Sequence, residues 1–137
     1  MKSDDAVLRK KVLVEINEDF HQADKLNEAL DSGILMCLVY CCREEDNTIR
    51  ELASRAILKI ANTEKGRVTL VSSRSLAIVA NLFDDALPLI RHNAYTCLIN
   101  LAQFIYGITS IIDSDILRVL VDKLVAERED GILILIL

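Results

Sequence analysis

The sequence has no tryptophan, one proline (Pro88), four glycines and two histidines, His21 and His92. With aromatics at 4%, the apolar share is unusually aliphatic, and the scarcity of breakers leaves long helices free to form. Neither histidine has Ser, Cys or Asp patterned around it, which leaves little for acid–base or nucleophilic catalysis. GxSxG, HExxH, Walker and dinucleotide-type glycine patterns are missing. "EKGR" (64–67) has one glycine and no Ser/Thr in place after it, so it reads as an inter-helix loop and not as a phosphate cradle. The expectation is a protein that is not an enzyme, with no cofactor and no small-molecule substrate.

Positive charge is also short. Sixteen Lys and Arg against 21 Asp and Glu give a net charge of −5, which argues against a nucleic-acid partner, since a polyanion needs a basic surface to displace its counterions. The start, "MKSDDAVLRKK", lacks the apolar centre of a signal peptide, and no run approaches the roughly 20 apolar residues that span a bilayer. A soluble cytoplasmic protein with no membrane partner is expected. Cys37, Cys41, Cys42 and Cys97 include no CxxC pair and no nearby partner histidine, so tetrahedral zinc is poorly supported. They read as small core hydrophobes in a reducing compartment.

What the chain has in abundance is aliphatic residues, and they recur. "IRELASRAILKIA" (49–61) returns 41 residues later as "IRHNAYTCLINLA" (90–102), and "LRKKVLVEINEDF" (8–20) falls in the same register. Ile49, Leu52, Ala53, Ala56, Ile57, Ile60 and Ala61 follow the spacing of one buried helix face. The columns Leu30/Val71/Ile112, Leu35/Leu76/Leu117, Leu38/Val79/Leu120, Val39/Ala80/Val121 and Cys42/Phe83/Leu124 keep helical spacing between the copies. Each unit reads as a short helix, a second helix, an acidic loop and a long third helix. The helices fall at roughly 23–31, 34–43 and 48–62, then 66–72, 75–83 and 87–103, then 105–112, 115–125 and 129 onward. Gly66 and Gly107 are expected in the loop after the long helix.

A three-helix unit of about 41 residues matches the armadillo/HEAT period. Residues 1–137 are therefore expected to form one all-α domain, an armadillo/HEAT-type α-solenoid of about three repeats with partial terminal repeats. A partial repeat covers 4–20, and repeats cover about 23–62, 64–103 and 105–137, the last truncated. No single unit can bury its own apolar face, so neighbours stack and share a continuous core, and the third helices line a concave surface.

The acidic loops "EEDN" (44–47), "DD" (84–85) and "ERED" (127–130) are expected to cap helices, where carboxylates meet free N–H groups and a favourable dipole, and not to bind metal. Pro88 suits a first helical turn. Arg9, Arg50 and Arg91 repeat near the start of each long helix. They could offer a ladder of donors to a partner's carboxylates, but a structural bridge to the preceding acidic loop or to the neighbouring repeat is favoured. In the column Gly33/Arg74/Asp115, Gly and Asp tolerate a left-handed turn better than Arg does, so the middle unit's turn is expected to differ.

Armadillo proteins that grip extended peptides carry on the third helix a Trp and, four residues later, an Asn that holds the peptide backbone. Here the Trp column holds Val14, Arg55 and Thr96, and the Asn column holds Glu18, Lys59 and Asn100. Only Asn100 matches, which argues against a peptide groove of that type. Arg55 and Lys59, one turn apart on the polar face, are the better candidates for partner contact. Arg50, Arg91, Thr96 and Asn100 join them as candidate protein-interaction residues.

The succession "NEALDSGILMCLVYCCREEDNTIRELASRAILKIANTEKGRVTLV", "NLFDDALPLIRHNAYTCLINLA" and "GITSIIDSDILRVLVDKLVAEREDGI" resembles the armadillo-repeat family of ciliary radial spokes, also known as the rhabdoid tumour deletion region family. The similarity is collinear over about residues 4 to 132. It implies a non-catalytic structural scaffold in the axoneme of a cilium or flagellum, with other radial spoke subunits as partners. Radial spokes link the outer doublet microtubules to the central pair and relay mechanical signals to dynein arms. Members of the family usually carry more repeats on the C-terminal side. The alternative is a cytoplasmic armadillo adaptor that binds peptide or cargo partners outside cilia.

The final "GILILIL" breaks the repeat pattern. Residues 132–137 are six consecutive Ile and Leu with no Arg in the repeated column, and a terminal repeat ordinarily presents a polar cap. Ile132, Leu133, Ile134 and Leu135 are therefore expected to be covered by a partner chain, or to belong to a truncated form of a longer protein.

Overall fold

The computed structural model describes residues 2–113 and 115–127. Among them the chain is a succession of helices without strands. Helix α1 (Lys2–Asp19) stands where a third helix belongs, and α2 (Ala23–Asp31), α3 (Ile34–Cys41) and α4 (Asn47–Ala61) form one unit. The next comprises α5 (Glu64–Ser72), α6 (Leu76–Asn81) continued by a 3-10 turn at Leu82–Asp84, and α7 (Pro88–Leu101). α8 (Ile105–Asp113) and α9 (Ile116–Ala126) open a third. The expected helix from 129 onward lies outside the described residues, as do Ile132, Leu133, Ile134 and Leu135. No helix among the described residues is long and apolar enough to cross a membrane.

Local chemistry sets the boundaries. Asp46 caps α4, its side chain accepting from the amides of Thr48 (2.8 Å) and Ile49 (3.1 Å). Thr63 caps α5 by accepting from the Gly66 amide at 3.0 Å. Pro88 begins α7, where its missing N–H costs nothing, and Asp85 accepts from the Leu87 amide just before it.

The third helices form the spine. α1 lies against α4 and α4 against α7, while α3 and α6 back α4 and α7 in turn. The predicted face of α4 is buried throughout: Ile49, Leu52, Ala53, Ala56, Ile57, Ile60 and Ala61 all join one core. Stacked rings of Phe83 and Tyr95, with centroids 4.4 Å apart, fill the space behind α7.

Three expectations are corrected. Gly66 and Gly107 do not lie in loops but in the first turns of α5 and α8. A Cβ on Gly66 would fall 1.9 Å from the Ile60 carbonyl oxygen, and one on Gly107 would fall 1.7 Å from that of Leu101. Glycine is required there because a new helix starts hard against the end of the old one. Second, the left-handed φ is kept in the middle unit, with Arg74 at 59° beside 83° for Gly33 and 61° for Asp115, and the turn differs only in that α6 begins one residue later, after Ser75. Third, Cys37 is exposed and Cys41 half-buried, so only Cys42 and Cys97 are core residues. Burial pushes both of their thiols up to about 12, with nearby negative groups adding to it.

Candidate protein-interaction surface

The repeated arginines occupy the junctions between units. Arg50 donates from Nε to Asp85 Oδ2 at 2.8 Å and from Nη2 to Asp85 Oδ1 (3.3 Å) and Asn47 Oδ1 (2.7 Å). Its Nη1 donates to the carbonyls of Glu44 (3.0 Å) and Glu45 (2.8 Å). One planar fork thus clamps the loop before its own helix and the acidic loop of the next unit. Arg91 repeats the arrangement. It donates to both carboxylate oxygens of Glu127 (3.0 and 3.1 Å) and backwards to the carbonyls of Asp85 and Ala86. Arg9 pairs forward with Glu44, but among the described residues it makes no such backward contact.

Both inner pairs are largely withdrawn from water: the side chains of Arg50 and Asp85 are 15% and 6% exposed. Burial alone would raise the Asp85 carboxyl, yet the Arg50 hydrogen bond, the Leu87 amide and the charges of Arg50 and Arg91 outweigh it and hold the group below its ordinary value. The hydrogen bond to Asp85 correspondingly raises Arg50 against its own desolvation. Both structural bridges considered for the arginines, backward and forward, are made at once. Their carboxylate partners, Glu44, Asp85 and Glu127, lie in loops expected to cap helices or to bridge to the arginines, with no partner residue singled out. The missed signal was an acidic residue recurring 35 or 36 positions after each arginine.

On the polar face of the spine, the remaining candidates are tied to their own chain. Arg55 pairs with Glu51 one turn earlier, with Nη2 to Oε1 at 2.5 Å. Lys59 reaches across to α1 and donates from Nζ to the Asn17 carbonyl at 2.8 Å. Partial burial lowers the Lys59 ammonium, and repulsion from Arg55 adds to it, against the pull of Glu18 and Glu51. Thr96 donates to the His92 carbonyl at 2.9 Å, and Asn100 donates from Nδ2 to Asn62 Oδ1. Beneath them, Asn93 donates to Ser54 Oγ at 3.0 Å and Asn17 to the Leu52 carbonyl at 3.0 Å, buried polar contacts that join adjacent spine helices.

Apolar exposure is heaviest in the first and last of the described helices, with Met36, Tyr40, Val68 and Leu89 exposed between them. On α1, Leu8 is 61% and Val12 45% exposed, whereas their column-mates Ile49, Ala53, Ile90 and Ala94 are at most 2% exposed. At the other end, Ile112 is 59% and Leu117 53% exposed, whereas Leu30, Leu35 and Leu76 in the same columns are buried. These residues border an apolar groove of about 300 Å³ between α7, α8 and α9, floored by Tyr95, Leu98 and Ile111. In the two preceding units the equivalent slot is filled by α4 and by α7.

No protein-family model matches the chain. The fold is nevertheless shared with solved structures. A computationally designed armadillo repeat protein for modular peptide recognition superposes with a TM-score of 0.84 at 19% identity, over 93% of this chain and 55% of that one. A designed armadillo repeat protein in complex with the peptide (KR)4 gives 0.82 at 20% identity, over 92% and 54%. An engineered protein gives 0.81 at 21% identity, over 93% and 52%. The fold is an armadillo-type α-solenoid. The chain spans about half the length of these structures.

Proposed function

We propose that this chain is a non-catalytic, protein-binding scaffold, a structural subunit of the ciliary axoneme within the radial spoke. Two of the similar designed proteins are made for peptide recognition or hold a peptide, which supports a protein partner for this fold. The observation that carries the scaffold reading is the state of the spine's polar face. The side chains in the peptide-holding columns are turned onto their own molecule, Lys59 to the Asn17 carbonyl and Asn100 to Asn62. A groove that captured an extended chain would need those groups for the ligand's backbone. Partner contact is therefore assigned to broad outer and end surfaces, as in a beam within an assembly. The axonemal placement rests on the sequence resemblance over about residues 4–132. The test is to fractionate motile cilia and follow this protein by mass spectrometry through graded salt extraction. Co-extraction with radial spoke subunits is expected. Recovery in a soluble cargo complex, with none in the axoneme, would favour the cytoplasmic adaptor instead.

A further inference from the structure

Two of the four thiols are not used by the core. Cys42 and Cys97 are buried, whereas Cys37 is exposed and Cys41 half-buried. The latter two lie on α3, four residues apart, which puts them one turn apart on the same face with Cβ atoms about 5–6 Å from each other. Two sulfurs on such a face can close on one small ion from the same side. Cys42 follows Cys41 in the chain but is 5% exposed and belongs to the core, so the accessible set is the pair alone. We propose that Cys37 and Cys41 form a surface dithiol site for one copper(I) ion.

The number and softness of the donors select the ion. Among the described residues no three His, Cys, Asp or Glu side chains gather into a metal-holding group. Zinc, which takes four ligands in a tetrahedron, and calcium or magnesium, which take six or more oxygens, therefore find no site there. Copper(I) is satisfied by two thiolates, and soft sulfur ligands favour it over harder ions. Met36, next to Cys37 in the chain and 61% exposed, adds a thioether of the same soft class. The surroundings also suit a cation. Cys41 is the last residue of α3, at the negative end of the helix dipole. Burial raises the Cys41 thiol, with Glu44 and Cys37 adding to it, and Arg9 opposes them. The charge of Arg9 is itself engaged by Glu44 in an ion pair. On binding, each thiol gives its proton to water as its sulfur takes up the ion, and no oxidation state changes.

The test titrates the fully reduced chain 1–137 with copper(I) under anaerobic conditions, in competition with the chelator bicinchoninate, and weighs the product by native mass spectrometry. One tightly held ion per single chain is expected. Cys37→Ser and Cys41→Ala should each lose at least about a hundredfold in copper(I) affinity, because the helix holds the second thiol at a high effective concentration. Circular dichroism verifies that each variant folds. Should Cys41→Ala unfold, alkylation of the exposed Cys37 in the folded wild type takes its place, since it blocks the pair and leaves the core thiols intact, and the same loss is expected. Wild-type affinity no better than that of a single-thiol variant overturns the proposal. So does tight binding that survives the loss of either thiol, the result expected if the core cysteines hold the ion, and so does an ion shared between two chains.

Discussion

The Arg50–Asp85 pair offers the sharpest test of what holds adjacent units together. Its side chains are 15% and 6% exposed, so removing one partner leaves the other charged in a poor solvent. Losing one member of a buried pair costs about 3–5 kcal/mol. Asp85 keeps the Leu87 amide and the neighbouring charge of Arg91, which puts Arg50→Met near the lower end, about 3 kcal/mol. In the double variant Arg50→Met/Asp85→Leu neither charge remains to be desolvated, so much of the loss should return. A double-mutant cycle by urea unfolding, followed by circular dichroism, should give a coupling of about 2–3 kcal/mol. The outer pair Arg9–Glu44, with side chains 41% and 23% exposed, serves as internal control and should couple by no more than about 1 kcal/mol. The pH dependence has a definite sign. Asp85 is held below its ordinary 3.8, so its contribution is complete above that value and is lost as the pH falls through the depressed folded value. The coupling should thus be equal at neutral and mildly acidic pH and vanish only in stronger acid. A coupling below about 0.5 kcal/mol at neutral pH would refute the view that the arginine column staples one unit to the next.

Other perturbations probe separate features. Gly66→Ala forces a Cβ onto the Ile60 carbonyl and should cost about 3 kcal/mol in urea unfolding, although alanine is the better helix former. Arg74→Gly relieves a left-handed arginine at an exposed turn and should raise stability by about 0.5–1 kcal/mol, after allowing for glycine's greater freedom when unfolded. A thiol reagent at neutral pH should label Cys37 first and Cys41 more slowly, leaving Cys42 and Cys97 unmodified until the chain unfolds, as mass spectrometry of modified peptides would show.

The 41-residue period made the spine legible because a repeat constrains burial in every copy at once. The face of α4 was read from spacing alone, and all seven of its residues are buried. The same columns could have placed Cys37 correctly. Leu35, Leu38, Val39 and Cys42 carry α3's inward face, and Cys37 falls outside it beside the exposed Met36 and Tyr40. Treating the cysteines as a class overrode the phase of the helix. Gly66 and Arg74 were illegible for a different reason. The place of Gly66 is fixed by the Ile60 carbonyl, a contact created only when one helix crosses the end of another. Arg74 adopts an unfavourable φ because covering Leu70, Leu76 and Val79 outweighs a local strain of about 1–2 kcal/mol.

The candidate surface divides along the same line. Sequence could show Arg50 and Arg91 as a column, and it could show Lys59 and Asn100 at peptide-holding positions. It could not show whether their hydrogen-bonding groups face outward. That depends on groups distant in the chain: Asp85 lies 35 residues from Arg50, and the Asn17 carbonyl lies 42 residues from Lys59. Stacking at a near-constant period brings such groups within bonding distance again and again. A solenoid spends much of its repeated polar chemistry on its own seams in this way. Repetition of a charged residue is therefore evidence of a junction before it is evidence of a binding site. The outward-facing chemistry of this chain should be sought where a column's burial fails, at Leu8 and Val12 and at Ile112 and Leu117, where the internal rule of packing has no neighbour within the described residues to satisfy it.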